Sequence, residues 1–376
     1  KPYLTGDETR FILEAHANGQ LAGDGYFTKK CSKWLEDTLK VKRALMTHSC
    51  TAALEMAAIL CDIKPGDEVI MPSYTFVSSA NAFVMRGAIP KFVDIRPDTL
   101  NIDEGKIEEA ITSKTKAILV VHYAGVSCEM TTICQIADAY NLILVKDAAQ
   151  SIQSYYKGRP LGSIGDLGCI SFHETKNIIS GEGGALLINN ENYIERAQII
   201  REKGTNRSAF FQKKVDKYTW VDIGSSYLPG ELICAFLWAQ LINCEAITKS
   251  RISSWNKYYN VFSEISSKYN LILPKIPSNC SFNAHIFYAI LPEKINRSQF
   301  IDLMKKECIG AIFHYVPLHS SPAGKKYGST SGSLQYTDSL SSQIIRFPLW
   351  IGIEEYIQNC LESTVKSLDY IKSTTP

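Results

Sequence analysis

The stretch Val145 to Gln150 (VKDAAQ) is the starting point for predicting the fold. In it, a short apolar run of strand length ends at an aspartate, Asp147. On both sides of it, between residues 68 and 188, apolar segments of strand length alternate with helical segments. The apolar run at 116–122 is typical of a strand covered on both faces. This alternation predicts an α/β fold, in which a mainly parallel sheet carries helices on both faces.

A lysine follows this aspartate at a distance that indicates cofactor chemistry. Lys176 lies in Ser171 to Asn177 (SFHETKN), and the glycine-rich segment Gly181 to Gly184 comes directly after it. We expect Asp147 at the carboxyl end of a central strand, where open α/β sheets bind ligands.

Asp147 and Lys176 suit pyridoxal 5'-phosphate (PLP). A lysine amine can hold the PLP aldehyde as a Schiff base and, once free, can carry a proton to or from the substrate carbon. An aspartate can keep the pyridine nitrogen protonated, so that the ring accepts electrons. The alternatives are a helix N-cap for Asp147 and an ordinary exposed position for Lys176.

A phosphate site is predicted at Ser49 to Ala53 (SCTAA), which opens a helical segment. Small residues at a helix N-terminus let backbone N–H groups approach an anion, and the helix dipole favours it. Cys50 and Thr51 are therefore candidate phosphate contacts, and Ser171 is a further one. The alternative is a plain N-cap.

Two further side chains are candidates for the cofactor ring. Phe76 follows a predicted strand and could stack on the pyridine, although core packing is the commoner fate of phenylalanine. Gln150, three residues beyond Asp147, could reach the phenolic oxygen.

Candidate substrate-binding residues lie in three polar, loop-like segments. They are Tyr26 and Lys29 in 23–29, Lys203 and Arg207 in 203–208, and Tyr315 and His319 in 314–319. Lys203 and Arg207 could meet a diphosphate, since arginine suits bidentate phosphate contacts. A solvated charged loop is the alternative for each residue taken singly.

The composition argues against several other classes. The net charge is +2 over 376 residues, and basic residues never run beyond a pair, which gives no support for nucleic-acid binding. The eleven cysteines contain no C-x-x-C pair, so we expect no metal site and reduced thiols in a cytoplasmic protein. The opening residues 1–6 lack the apolar region of a signal peptide, and apolar runs are too short to span a membrane.

The alternation of strands and helices ends near residue 248. We therefore predict a large domain over 1–247, which includes the N-terminal segment, and a smaller C-terminal α+β domain over 248–376. The low-complexity patch at 328–333 is predicted to be a mobile loop.

These motifs resemble the DegT/DnrJ/EryC1/StrS family of sugar aminotransferases, which have the type I PLP fold. The segments that carry the resemblance are SCTAAL (49–54), PSYTFV (72–77), DAAQ (147–150), SFHETKN (171–177) and GEGG (181–184). The similarity extends over nearly the whole chain.

The resemblance implies roles and partners. Lys176 would be the Schiff-base lysine, Asp147 the pyridinium partner and Phe76 the stacking ring. Phosphate contacts would fall to Cys50, Thr51 and Ser171, and Gln150 would lie beside the cofactor. L-Glutamate would donate an amine to C4 of a nucleotide-linked ketosugar, dTDP-4-keto-6-deoxyglucose, in a homodimer with active sites at the subunit interface.

Two positions depart from the family pattern. Many relatives have Glu directly before the aspartate, where this chain has Lys146; strand alternation predicts that it points away from Asp147. Many relatives also offer an Asn from the partner subunit near the phosphate, whereas the aligned stretch 225–229 (SSYLP) has none.

Two other functions remain as alternatives. The first is a PLP-dependent sugar dehydratase, although relatives of that type have His in place of the lysine. The second is a PLP-binding protein that has lost catalysis, against which the intact Lys176 and Asp147 argue.

Overall fold

The computed structural model describes residues 1–211 and 213–374. The helices are α1 (Glu8–Ala17), α2 (Tyr26–Leu39), α3 (Cys50–Leu60), α4 (Val77–Val84), α5 (Ile107–Ala110), α6 (Met130–Ala139), α7 (Ile194–Arg201), α8 (Arg207–Phe211), α9 (Glu231–Ile242), α10 (Cys244–Tyr269), α11 (Arg297–Lys306), α12 (Pro322–Tyr327), α13 (Gln335–Gln343) and α14 (Ile357–Thr374). The strands are β1 (Arg43–Thr47), β2 (Glu68–Pro72), β3 (Ile89–Val93), β4 (Thr115–Val121), β5 (Ile143–Asp147), β6 (Tyr155–Tyr156), β7 (Arg159–Pro160), β8 (Leu167–Ser171), β9 (Gly184–Ile188), β10 (Cys280–Ser281), β11 (Phe287–Ile290), β12 (Ser329–Thr330) and β13 (Ile344–Phe347).

An eight-stranded sheet forms the centre of the molecule, in the order β1-β9-β8-β5-β4-β2-β3-β12. The strands from β8 to β12 run parallel, and β9 is antiparallel to both of its neighbours. Asp147 at the end of β5 pairs with Val121 of β4 and Cys169 of β8. The predicted mainly parallel α/β fold is thus confirmed, with Asp147 at the carboxyl edge of a central strand.

Helices cover both faces of this sheet. Helix α3, rich in alanine and leucine, packs with Val121 and Val145 on one face. Helix α6 packs with Val120 and Leu144 on the other face. Since both faces are covered, the central strands are mostly apolar on both sides rather than alternating.

A second hydrophobic core lies in the C-terminal part, around the two-stranded sheet of β11 and β13. Helix α10 joins the two parts: Cys244 and Ile247 pack into the core of α1, α2 and α9, whereas Trp255 and Phe262 pack into the C-terminal core. The predicted boundary between 247 and 248 therefore falls inside a continuous helix. The division into 1–247 and 248–376 stays a prediction.

The glycine- and serine-rich patch at 328–333 differs from its prediction as a loop. Ser329 and Thr330 form β12, which pairs with Lys91 and Phe92 of β3 at the sheet edge. A Cβ on Gly328 would lie 2.5 Å from Phe92 Cε2, so this close approach needs glycine. Composition alone suggested mobility because the backbone pairing that orders the patch comes from a distant strand.

Within residues 1–211 and 213–374, no single helix is both long and apolar enough to cross a membrane; α9 and α10 reach that length and composition only together, with a bend of 61° between them.

A substitution at Gly184 tests the close contact between β9 and the start of α3. An added Cβ would lie 2.4 Å from the Ser49 carbonyl carbon and 2.5 Å from the Cys50 nitrogen. We expect Gly184→Ala to lower the free energy of unfolding by about 1–3 kcal/mol, because the backbone must shift. Gly310→Ala is the control, since a Cβ added there would have no atom within 4 Å. Urea unfolding measures both, and equal stabilities of the two variants would contradict the packing described.

Candidate active site

A cavity of about 540 Å³ lies at the carboxyl edge of the sheet. It is bounded by the start of α3, the segments after β2, β5 and β8, and residues of the C-terminal part. All seven residues predicted to contact the cofactor line it: Cys50, Thr51, Phe76, Asp147, Gln150, Ser171 and Lys176. The structure thus brings together residues that are far apart in the sequence.

Asp147 is buried at the base of the cavity, with 5% of its surface exposed. Ser79 Oγ donates a hydrogen bond to Oδ2 at 2.7 Å, and the Ala149 N–H donates to Oδ1 at 3.1 Å. Burial raises the pKa of Asp147, while these two bonds and the charge of Lys176 act to lower it. A cationic ring nitrogen would offset the cost of burying this carboxylate.

Lys176 reaches the same cavity from the turn after β8. Its backbone N–H donates a hydrogen bond to the His173 carbonyl at 2.9 Å. Burial lowers the pKa of Lys176, and Asp147 opposes this shift. A lowered pKa increases the fraction of neutral amine, which is the nucleophilic form. The neighbouring Asn177 donates to the Asn283 carbonyl at 2.7 Å and thereby fixes the turn against the C-terminal part.

The N-terminus of α3 forms an anion cradle beside them. Ser49 Oγ accepts a hydrogen bond from the Ala52 N–H, and Thr51 Oγ1 lies 2.8 Å from Ser78 Oγ. The first N–H groups of a helix have no intrahelical acceptor and point towards an anion. Burial raises the pKa of the Cys50 thiol, so this side chain is neutral.

Aromatic side chains form one wall. The Phe76 ring is 54% exposed and lies 6.2 Å from the Tyr315 ring centroid. Gln150 Nε2 donates to the Tyr315 hydroxyl at 2.8 Å, while its Oε1 accepts from the Ala124 N–H at 2.7 Å. Gln150 therefore positions Tyr315, a contact that the sequence did not predict.

These groups fit PLP. The cradle suits the phosphate, Phe76 offers a face to the ring, and Asp147 and Lys176 suit the ring nitrogen and the aldehyde carbon. In the part of the chain that the structure covers, no group of three or more His, Cys, Asp or Glu side chains could hold a metal ion.

The six predicted substrate-binding residues do not lie together, and only Tyr315 lines the cavity described above. Tyr315 lines the cavity of Asp147 and Lys176. His319 does not line it; its Nδ1 lies 2.7 Å from Ser73 Oγ and its Nε2 lies 3.2 Å from Asp338, which ties its loop to the end of β2.

The other four lie away from the cavity of their own chain. Lys29 and Arg207 line a separate cavity of about 670 Å³, Tyr26 lines a neighbouring surface pocket together with Lys29, and Lys203 is exposed. Their role in substrate binding stays a prediction.

Several lining residues were not among the predicted site residues, and four of them carry polar side chains from other segments: Ser78, His285, His314 and Arg346. Tyr123 and His314 are hydrogen bonded at 2.7 Å between the hydroxyl and Nδ1, and burial lowers the pKa of His314 to about 2. Arg346 interrupts the apolar run Ile344 to Phe347, a signal that could have marked it.

Lys146 lies on the opposite face of the sheet from Asp147, as strand alternation predicts. It pairs with Val120, which belongs to the core beside α6. Its side chain is fully buried, and Nζ has no hydrogen-bond partner among the described residues. Lys146, which differs in charge from the Glu expected at this position from the resemblance, therefore lies on the face of the sheet away from Asp147.

The comparisons with known proteins agree with this geometry. The model of the DegT/DnrJ/EryC1/StrS aminotransferase family matches residues 2–363. Among curated proteins, the spore coat polysaccharide biosynthesis protein SpsC of Bacillus subtilis is 31% identical over 94% of this chain and 92% of its own. A GDP-perosamine synthase of Caulobacter vibrioides is 33% identical over 68% and 67%. The aminotransferase TlmJ of Streptoalloteichus hindustanus superposes with a TM-score of 0.90 at 25% identity, over 99% and 98% of the two chains.

The pH dependence of stability tests the burial of Lys146. Burial lowers the pKa of Lys146 from 10.5 to about 7. Between these values the unfolded chain binds more protons than the folded chain, so the free energy of unfolding rises with pH. We expect Lys146→Met to raise stability at pH 7 by about 2–5 kcal/mol, a gain that shrinks towards pH 10.5.

Urea unfolding at several pH values between 7 and 10.5 measures this effect. Lys116→Met, at an exposed position of β4, is the control and should leave the pH slope unchanged. A Lys146→Met protein that keeps the wild-type slope would contradict the buried environment of Lys146.

Proposed function

We propose the two substrates of this chain, which belongs to the DegT/DnrJ/EryC1/StrS aminotransferase family and is a PLP-dependent sugar aminotransferase. Its amino donor is L-glutamate, and its acceptor is C4 of dTDP-4-keto-6-deoxyglucose. The product is dTDP-4-amino-4,6-dideoxygalactose. The observation that carries the aminotransferase function is the meeting of Asp147, Lys176 and the α3 anion cradle in one cavity.

Each residue has a separate task in this reaction. PLP, when bound, supplies an electron sink for the carbon that loses or gains a proton. Asp147 holds the ring nitrogen in its protonated form through a carboxylate whose position Ser79 and Ala149 fix. Lys176, as a buried amine with a lowered pKa, takes and returns the proton at the substrate carbon. Phe76 keeps water from one face of the ring.

The choice of sugar rests on resemblance. The strings HETKN (173–177), REKGTNRS (201–208), DKYTW (216–220), DIGSSYL (222–228) and FHYVPLH (313–319) resemble the dTDP-4-amino-4,6-dideoxygalactose transaminases of enterobacterial common antigen synthesis. We therefore place the product in deoxyaminosugar biosynthesis for a surface glycan such as common antigen or lipopolysaccharide.

A second candidate is the amination of a GDP-linked ketosugar. It is favoured by the GDP-perosamine synthase that is 33% identical over 68% of this chain. Against a dehydratase stands Lys176, because dehydratase relatives have His at this position. Against a non-catalytic PLP-binding protein stands the intact Asp147 with its two hydrogen bonds.

We further propose a cytoplasmic homodimer with shared active sites. The segment around α8 exposes large apolar rings, among them Phe211 at 66% and Trp220 at 78%. Lys29 and Arg207 lie outside the cavity that holds Lys176 of the same chain. In a dimer, such residues would serve the active site of the partner subunit and meet the diphosphate of the sugar nucleotide.

Lys176→Ala tests the assignment of the catalytic amine. We expect turnover to fall by a factor of about 10⁴ or more, because both covalent attachment and proton transfer are lost. PLP should still bind noncovalently through the cradle and Asp147. Dialysis against PLP, with cofactor content measured after denaturation, distinguishes retained cofactor binding from lost turnover. Full activity in this variant would contradict the assignment of Lys176 as the catalytic amine.

The nucleotide carrier and C4 stereochemistry require a product assay. With L-glutamate as donor, dTDP-linked and GDP-linked 4-keto-6-deoxysugars should differ in kcat/KM by at least about 100-fold in favour of dTDP, since a mismatched base leaves polar groups unpaired. Proton NMR of the product should show an axial amine at C4. A preference for the GDP-linked sugar would replace the proposed substrate and keep the aminotransferase.

A further inference from the structure

His285 is a buried histidine of the active-site cavity to which the proposed reaction gives no task. It lines the cavity together with Lys176, and only 7% of its surface is exposed. It lies in the segment that leads into β11, whereas Lys176 lies in the turn after β8 of the large sheet. The two side chains therefore reach one cavity from different parts of the fold.

Hydrogen bonds on two sides hold the segment that carries His285. Asn283, which is fully buried, donates from Nδ2 to the carbonyls of Gln150 and Ile152, both at 2.8 Å. Arg251 of α10 donates to the carbonyl of His285 at 2.8 Å. The backbone of His285 is thereby held between the loop after β5 and helix α10, which gives its side chain a defined origin.

The hydrogen bonds of Asn177 determine which ring nitrogen of His285 carries the proton. Asn177, the residue after Lys176, donates from Nδ2 to the Asn283 carbonyl at 2.7 Å. Its Oδ1 lies 3.0 Å from His285 Nδ1 and, as an amide oxygen, can only accept a hydrogen bond. Nδ1 of His285 therefore carries the proton, and Nε2 has the free lone pair.

The surroundings of His285 keep its ring neutral. Burial lowers the pKa of His285 well below its ordinary value. Nearby cationic and histidine side chains add to this effect: Lys176, Arg251, Arg346 and His314. A neutral ring with a protonated Nδ1 is a hydrogen-bond acceptor at Nε2. Within residues 1–211 and 213–374, neither His285 Nε2 nor the amine of Lys176 has a hydrogen-bond partner, so an acceptor and a donor remain available in one cavity.

We propose that His285 is a positioning residue for Lys176, an inference that rests on the proposed catalytic role of that amine. When the amine is not attached to the cofactor, it donates a hydrogen bond to Nε2 of His285. The four-carbon stem of a lysine can take many positions, and this bond selects one from which the amine serves the substrate carbon. Asn177 supports the contact, because its side chain orients the ring while its backbone follows directly from Lys176.

Two substitutions distinguish the roles of the two ring nitrogens. His285→Asn keeps a donor near Nδ1 and loses the acceptor at Nε2, whereas His285→Gln keeps an acceptor near Nε2. The enzyme is loaded with pyridoxamine 5'-phosphate, so that Lys176 is not attached to the cofactor. Acylation of Lys176 by acetic anhydride is then followed against pH by peptide mass spectrometry. His285→Asn should lower the pH midpoint of this acylation by about one unit, because the ammonium loses its acceptor, and His285→Gln should keep the wild-type midpoint.

The half-reaction of the PLP-loaded enzyme with L-glutamate gives a second readout. His285→Asn should lower its maximal rate by about 10-fold, since a misplaced amine transfers the proton slowly. The half-saturating concentration of L-glutamate should stay unchanged, because the donor does not lose a contact. The rate difference between L-glutamate and its α-deuterated form should be at least as large as in the wild type.

His122→Asn is the matched control. His122 is also buried, accepts a hydrogen bond at Nδ1 from the Cys128 N–H at 3.3 Å and has no partner at Nε2 in the described part of the chain, but it does not line the cavity. This variant should leave the acylation midpoint of Lys176 and the half-reaction unchanged. Thermal midpoints of all variants identify any loss of folding.

A measurement on the unsubstituted histidine covers the case in which a His285 variant does not fold. With ring-¹⁵N-labelled histidine in the pyridoxamine-phosphate-loaded enzyme, Lys176→Ala should move the Nε2 resonance of His285 towards that of a free acceptor. An unmoved resonance, an unchanged midpoint in His285→Asn, or equal shifts in His285→Asn and His285→Gln would overturn the inference. If the wild type rejects L-glutamate while the midpoint still shifts as expected, the proposed donor is wrong and the contact between His285 and Lys176 stands.

Discussion

The structure depends on one buried carboxylate, that of Asp147. A carboxylate with 5% exposure is unstable unless hydrogen bonds and a positive charge compensate for its lost hydration. Ser79 and Ala149 supply the hydrogen bonds, while Lys176 and the pyridinium of PLP are the available charges. Lys176, the start of α3 and the aromatic wall lie around the same end of β5 and line one cavity with Asp147.

The parallel sheet makes this convergence possible. Parallel strands end at one edge, so the segments after β2, β5 and β8 open into a single cavity. The antiparallel strand β9 then brings Gly184 against the start of α3, where the missing side chain lets the two backbones approach. The C-terminal part closes the cavity with Tyr315 and Arg346, and α10 connects the two cores. The candidate cofactor residues thus lie at the edge of the large sheet, and residues of the C-terminal part line the same cavity.

The sequence predicted the parts of this site that depend on local pattern. Asp147 ends an apolar strand, Cys50 opens a helix and Lys176 lies between a strand and a glycine-rich turn, so short stretches were enough to select them as candidates, and the structure brings them into one cavity. Contacts between distant segments were not predictable in this way. The hydrogen bonds of Gln150 with Tyr315 and of His319 with Ser73 depend on how the C-terminal part packs against the sheet. The patch 328–333 was predicted as a loop because its pairing partner, β3, is far away in the chain.

The most direct test of the account is the visible spectrum of the PLP-loaded protein during two successive additions. L-Glutamate should remove the absorption band of the lysine-bound cofactor, and dTDP-4-keto-6-deoxyglucose should then restore it, because the amine enters and leaves through the same cavity. Loss without return would keep the aminotransferase and discard the proposed sugar. A band that responds to no amine at all would contradict the central claim that Asp147 and Lys176 form a working transamination site.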